Sequence, residues 1–253
     1  MKRHPEGTRK EKGRMSRIDI LSPRDVFETL RGVDGRVVTT ILDPWYNKGV
    51  GGTRDDYHSW LRRVVAESAK ISDHIFVWGF PEIVYHVLDD LPGGVSLVAW
   101  LTWYYKNCPS VIRGWRSAQL TCLHLSHKGA ELYPEHFLNE VQLEKQRQGK
   151  LRYMPSPTSV LEVPMNVGWV GKKEQTGHPA QKPEKVIEPL ILMTTQEGDL
   201  VLDPMCGAGT TGAVCRKLGR HAILSDESEH WVEVTRNRLG VDIASKEAAT
   251  VAV

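Results

Sequence analysis

With 253 residues, 40% hydrophobic and 25% charged, the chain has the material for one large α/β domain or two small ones, and the make-up of an ordinary globular protein. No apolar run is as long as a membrane span and no apolar h-region opens the chain. The four cysteines (Cys108, Cys122, Cys206 and Cys215) form no C-x-x-C pair, which argues against a disulfide scaffold or a cysteine zinc site and for a reducing compartment. The net charge of +2 says little about partners. Residues 1–17, however, hold seven Lys or Arg against two Glu, a basic tail that reads equally as a phosphate-contacting arm or as a solvated, disordered terminus.

In chain order, "PRDVFETLR" (23–31) reads as a short helix and 36–42 as a buried, β-branched strand. Residues 55–71 have helical apolar spacing, followed by a strand at 74–79, a helix in "PEIVYHVLDDL" (81–91) and strands in "GVSLVAWLTWYY" (94–105) and "AQLTCLHLSHK" (118–128). From 129 to 177 periodicity fades and prolines accumulate. A substrate-facing insertion is expected there, with outer bounds near 106–177. A helix follows in "KPEKVIEPLILMTT", then strand "DLVLDPMC", helix "GTTGAVCRKLG", strand "HAILSD" and helix "SEHWVEVTRNRLG" ending at Gly240; 241–253 reads as a flexible tail. Strands alternating with helices predict an α/β fold with a doubly wound, mostly parallel sheet, whose ligands bind beyond the carboxyl ends of the strands.

Two strand ends would therefore share one rim. "VLDPMCGAGTTG" carries Gly207, Gly209 and Gly212 in G-x-G-x-x-G spacing between strand and helix, where glycines allow a tight turn and the helix N-terminus offers N–H groups to an anion. Asp226, 19 residues beyond Gly207, ends the next strand and suits a ribose. That pattern alone would also fit a nicotinamide dehydrogenase. Asp203 and Pro204 directly before the glycines, and "DPWY" at the end of the 36–42 strand, have no obvious use in one.

These pieces resemble the N6-adenine/N4-cytosine DNA amino-methyltransferase family in its β-class order. The matching segments are "DPWYN" (43–47), "HPAQKP" (178–183), "VLDPMCGAGTT" (201–211) and "AILSDESEHWVEVTRNRL" (222–239). The resemblance implies a Rossmann-like S-adenosylmethionine-dependent fold over residues 18–240, with the catalytic half preceding the cofactor half. It implies catalytic roles for Asp43, Pro44, Trp45 and Tyr46, with Asp43 and the Pro44 carbonyl accepting from an exocyclic amine and Tyr46 stacking on an extruded base. Trp45 departs from the family's usual second proline, which leaves open a narrowed pocket or a silent subunit. Cofactor contacts are implied for Asp203, Pro204, Cys206, Gly207, Gly209, Thr210, Thr211, Asp226, His178, Gln181 and Lys182, the last toward the cofactor carboxylate. Asn47, Lys106, Arg113, Trp115 and Arg116 are the candidate substrate contacts, each also readable as ordinary loop surface. His124, His127 and His136 lack ligand spacing, so no metal is expected. The implied partner is double-stranded DNA, with RNA as the alternative, and the implied assembly a homodimer in the cytoplasm of a prokaryotic or phage-infected cell. Adenine N6 is favoured over cytosine N4 because the tetrad begins with Asp. "NKGVGGTRDD" (47–56) reads as a lid or as a plain connection.

Overall fold

The computed structural model describes residues 16–48, 52–107 and 114–242. Its centre is one eight-stranded sheet. The strands are β1 (Ile18–Ile20), β2 (Val37–Leu42), β3 (Ser72–Gly79), β4 (Val95–Tyr104), β5 (Gln119–His127), β6 (Val160–Glu162), β7 (Leu200–Asp203) and β8 (His221–Leu224), in the order β1-β8-β7-β2-β3-β5-β4-β6. From β1 to β3 all neighbours are parallel. β5 then runs antiparallel to both β3 and β4, and β6 closes the edge parallel to β4.

The helices are α1 (Val26–Gly32), α2 (Tyr57–Ile71), α3 (Pro81–Val84), α4 (Glu140–Arg147), α5 (Glu184–Thr194), α6 (Thr210–Leu218) and α7 (Glu229–Leu239). Helix α2 forms because Tyr57, Trp60, Leu61, Val64 and Val65 recur at three- and four-residue spacing and bury one face. They join α1 and α3 in one apolar cluster on one side of the sheet. Residues from α5, α6 and α7 (Val186, Ile187, Leu190, Ile191, Val214, Cys215 and Val232) build a second cluster on the other side. The sheet is thus doubly wound, and its mostly parallel order brings the ends of β2, β7 and β8 to one rim.

Several sequence expectations are corrected. The helix expected over 81–91 is α3 followed by a 3-10 stretch, Tyr85–Asp89. The strands expected over 199–206 and 221–226 stop at Asp203 and Leu224, where the backbone turns toward the rim. Arg17, assigned to the basic tail, is bound to the sheet edge. Its N–H donates to His221 Nδ1 (2.8 Å), and its carbonyl accepts from Ala222 N–H (2.9 Å). Residues 1–15 of that tail, and 243–253 of the C-terminal one, lie outside the described residues. Within 106–177 the chain contributes β5 to the sheet interior, while α4 buries no residue and is held at its start by a reciprocal capping box between Asn139 and Gln142.

Candidate active site

A cavity of about 730 Å³ opens at the rim, lined by the ends of β2, β7 and β8, the 178–182 loop and the start of α6. Asp43, Pro44, Trp45 and Tyr46 form one wall. His178, Gln181 and Lys182 with Asp203, Pro204, Cys206, Gly207, Thr210, Thr211 and Asp226 line it as well, while Gly209 does not. The structure thus brings together, around one space, residues up to 183 positions apart in sequence (Asp43 to Asp226).

Asp43 stands just past the end of β2. Both its oxygens accept from Lys182 Nζ, each at 2.6 Å, and its Oδ1 also accepts from the Tyr46 hydroxyl at 3.2 Å. Lys182 is 4% exposed, and it also donates to the Tyr46 hydroxyl at 2.6 Å. Burial, then the neighbouring Asp43 charge, hold the Tyr46 phenol well above its ordinary range, so it stays protonated. The edge of Tyr46 meets Phe80, with ring centroids 5.1 Å apart. Trp45 turns the other way, against Trp60 (4.7 Å) and Tyr57 (5.3 Å), while the Tyr57 hydroxyl donates to the Trp45 carbonyl. Trp45 is therefore a packed wall of the cavity, and its buried Nε1–H has no partner among the described residues.

Asp203, the last residue of β7, accepts from the Thr211 hydroxyl (2.5 Å) and from Met205 N–H (3.1 Å). Burial nevertheless pushes its carboxyl up to about 7. The turn that follows needs glycine twice. Gly207 has φ +47° and lies under His178, whose Nε2 would be 3.0 Å from an added Cβ. Gly209 has φ +72°, and a Cβ there would meet Thr235 Cγ2 at 2.6 Å. Gly209 is also the N-cap of α6. It has no side chain with which to satisfy the first-turn N–H groups. Asp226 accepts from Gly207 N–H and Ser228 N–H, each at 2.9 Å. Cys206 is buried, its thiol pushed well above its ordinary range by that burial; it packs rather than reacts.

Other expected contacts are engaged locally. The Gln181 amide braces its own loop, accepting from Thr176 and donating to the Glu174 carbonyl (2.7 Å). The Asn47 amide clasps Arg54, accepting from its N–H (2.6 Å) and donating to its carbonyl (3.1 Å). Lys106 pairs with Glu162, tying the chain after β4 to β6. Trp115 is 96% exposed and Arg116 is exposed; Arg113 and residues 49–51 of the expected lid lie outside the described residues. The structure adds wall residues that the sequence did not single out: Asp25, Arg54, Trp60, Phe80, Glu227 and Trp231. Trp231 meets His178 edge to face at 4.3 Å. Among the described residues no cluster of His, Cys, Asp or Glu could hold a metal ion, and no helix is long and apolar enough to cross a membrane.

A deep acidic cavity beside a glycine-rich strand–helix turn, on a doubly wound sheet, is the architecture of a nucleotide-type cofactor enzyme. The chain belongs to the N6/N4 DNA methylase family, whose pattern matches residues 37–237. It is similar to the type II methyltransferase M.HpaI of Haemophilus parainfluenzae, with 31% identity over 237 residues that cover 85% of this chain and 72% of that one. Its fold resembles that of the M1.HpyAVI–SAM complex (TM-score 0.68, 21% identity, 88% of this chain and 100% of that one). It also resembles PvuII DNA methyltransferase, described as cytosine-N4-specific (TM-score 0.66, 17% identity, 93% and 90%). At these identities the likeness is one of fold.

Proposed function

We propose that the protein transfers a methyl group from S-adenosylmethionine to an exocyclic amine of an extruded DNA base, adenine N6 in preference to cytosine N4. The observation that carries this reading is the single cavity shared by the Asp43 carboxylate, the turn residues Gly207 and Ala208, and Asp226.

The donor set suits the cofactor. Five acidic side chains (Asp25, Asp43, Asp203, Asp226 and Glu227) line one cavity whose three Lys and Arg side chains are each already paired, Lys182 with Asp43, Lys48 with Glu82 and Arg54 with Asp56, leaving acidic surface for a sulfonium. The uncapped start of α6 suits a carboxylate, Asp226 retains lone pairs for ribose hydroxyls, and Trp231 with His178 supplies aromatic surface for an adenine ring. When bound, S-adenosylmethionine would supply an electrophilic methyl group: its carbon–sulfur bond would break as the nitrogen–carbon bond forms, leaving a neutral thioether, and the methylated amine would release one proton past Asp43 to solvent.

This chain's part is to activate and position the amine. The lone pair of an exocyclic amine is delocalised into its ring. Acceptors on its two hydrogens favour the tetrahedral form that can attack, and Asp43 with the Pro44 carbonyl supplies them. The fixed φ of Pro44 holds that carbonyl in place. The Tyr46 ring beside Asp43 offers the face on which a base rests once it leaves the duplex, offsetting a few kcal/mol of unstacking. Arg116 and Trp115, exposed between β4 and β5, are the proposed DNA contacts, together with the segment 128–159 outside the sheet. That recognition surface is small, which favours a homodimer as the working unit.

Nucleoside mass spectrometry after incubation with S-adenosylmethionine and unmethylated duplex DNA tests the reading. N6-methyladenine is the expected product. N4-methylcytosine would replace the adenine assignment, and no methylated base on DNA of varied sequence would overturn the proposal.

A further inference from the structure

We propose that Lys182 is the positioning residue of the catalytic carboxylate, a fixed counter-charge for Asp43, and not a ligand of the cofactor. The inference rests on the reading of Asp43 as the amine acceptor. Three observations carry it.

The first is donor saturation. An ammonium has three N–H donors. Lys182 Nζ has three acceptors, Asp43 Oδ1, Asp43 Oδ2 and the Tyr46 hydroxyl, each at 2.6 Å. No donor is left for a cofactor carboxylate.

The second is its surroundings. Nζ lies 5.2 Å from the ring centroid of Tyr46, 5.4 Å from that of Trp78 and 6.0 Å from that of Trp103. Trp78 and Trp103 are buried core residues of β3 and β4. A lysine placed to catch a ligand needs its head in open space; this one is withdrawn among rings, where an ammonium is tolerated only beside its anion. The rings and the carboxylate together fix the position of Nζ, and Nζ in turn fixes the carboxylate plane. The remaining lone pairs of Asp43 are the ones that can meet an amine hydrogen.

The third is the anchor. The Lys182 carbonyl accepts from the hydroxyl of Thr210 (3.0 Å), the first residue of α6 and the one directly after the Gly209 turn. Thr210 is itself held by Arg238 (3.1 Å), which also pairs with Glu184 at 2.9 Å. The backbone that carries Lys182 is therefore tied to the cofactor turn while its side chain is tied to Asp43. The 178–183 segment is a strut between the two halves of the site.

The test is a double-mutant cycle of Lys182→Met and Asp43→Asn in the full chain, read by S-adenosylmethionine affinity, by kcat and DNA KM at saturating cofactor, and by thermal midpoint. Lys182→Met is expected to lower kcat by about 100-fold while cofactor Kd and DNA KM stay within about threefold. In the Asp43→Asn background, adding Lys182→Met is expected to change the residual rate by less than about threefold, and to raise the thermal midpoint by removing a stranded buried cation. A cofactor Kd weakened about tenfold or more, with kcat recovered at saturation, would overturn the proposal, as would additive effects in the cycle. If Lys182→Met does not fold, lysine-selective nitrogen-15 NMR of the wild type decides the matter. A slowly exchanging ammonium signal that is unmoved by saturating S-adenosylmethionine and lost in Asp43→Asn supports the pairing; a signal that follows the cofactor overturns it. A wild type that methylates no DNA would remove the proposed function, and the melting and NMR arms would still decide the pairing.

Discussion

The ends of β2 and β7 are nearly the same sentence written twice, "ILDPWY" and "VLDPMC", on neighbouring parallel strands. Their carboxylates end in different physical states. The register pairs Thr40 with Leu202, so one step further Asp203 falls level with Ile41 and Asp43 stands two residues beyond it. Asp203 is consequently inside the end of the sheet, where burial outweighs its two hydrogen bonds and pushes its carboxyl up to about 7. Asp43 reaches past the edge, keeps a fifth of its side chain exposed and meets a dedicated cation. An offset of two residues thus separates a carboxylate that braces a turn from one that can touch a substrate.

The comparison can be broken hardest at Asp43. Asp43→Ala is expected to lower kcat by about 10³-fold, a loss of roughly 4 kcal/mol of transition-state stabilisation, with S-adenosylmethionine affinity retained; single-turnover rates and calorimetry check it. Trp45→Ala comes next. It removes the ring packed on Tyr57 and Trp60 and should cost about 3 kcal/mol of stability, read as a lower denaturation midpoint at unchanged m.

Asp203→Asn sharpens the contrast through pH. The folded carboxyl titrates near 7, against an unfolded value of 3.8, so between those values the folded state holds the extra proton. Stability contributed by this group is thus greatest in acid and falls as pH rises through that window. The Asn variant should flatten that slope, gaining on the order of 4 kcal/mol over wild type at pH 8 relative to pH 4 in chemical denaturation. Affinity for the sulfonium cofactor should rise with pH across 7 in the wild type and stay flat in the variant. The smallest effect is expected from Thr211→Val, which removes the hydrogen bond that opposes burial. It should cost about 1 kcal/mol and move the Asp203 titration further up, visible by carbon-13 NMR of the carboxyl.

The sequence exposed the rim well because β-branched strands, glycine turns and strand-end acids leave local signatures. Long elements such as α2 and β5 were readable from periodicity. β1 and β6 were not, because three residues carry no period, and their pairing with β8 and β4 is decided by distant neighbours. α4 has no buried face, so only Asn139 and Gln142 at capping-box spacing announce it. Among the site residues, the motif lines identified the cavity but not who bonds to whom. Asn47, Gln181 and Lys106 occupy positions suited to ligands yet satisfy loop backbone or a neighbouring acid. Trp60 and Trp231 carry no site signature in sequence, because only the fold shows which rings line the cavity. Lys182 is the sharpest instance: its motif position suggested a ligand, and its three hydrogen-bond partners are this chain's own atoms.

The Asn47 clasp bears on how such a protein could change its reach. One amide, on a residue held at φ +52°, bonds both the N–H and the carbonyl of Arg54 and so closes the intervening loop at its base. A loop pinned at its neck can lengthen or shorten with only a logarithmic entropy cost and little force transmitted to the strand beneath. Length between the two clasped residues is thus a free variable, while Asp43, four residues upstream of Asn47, keeps its place.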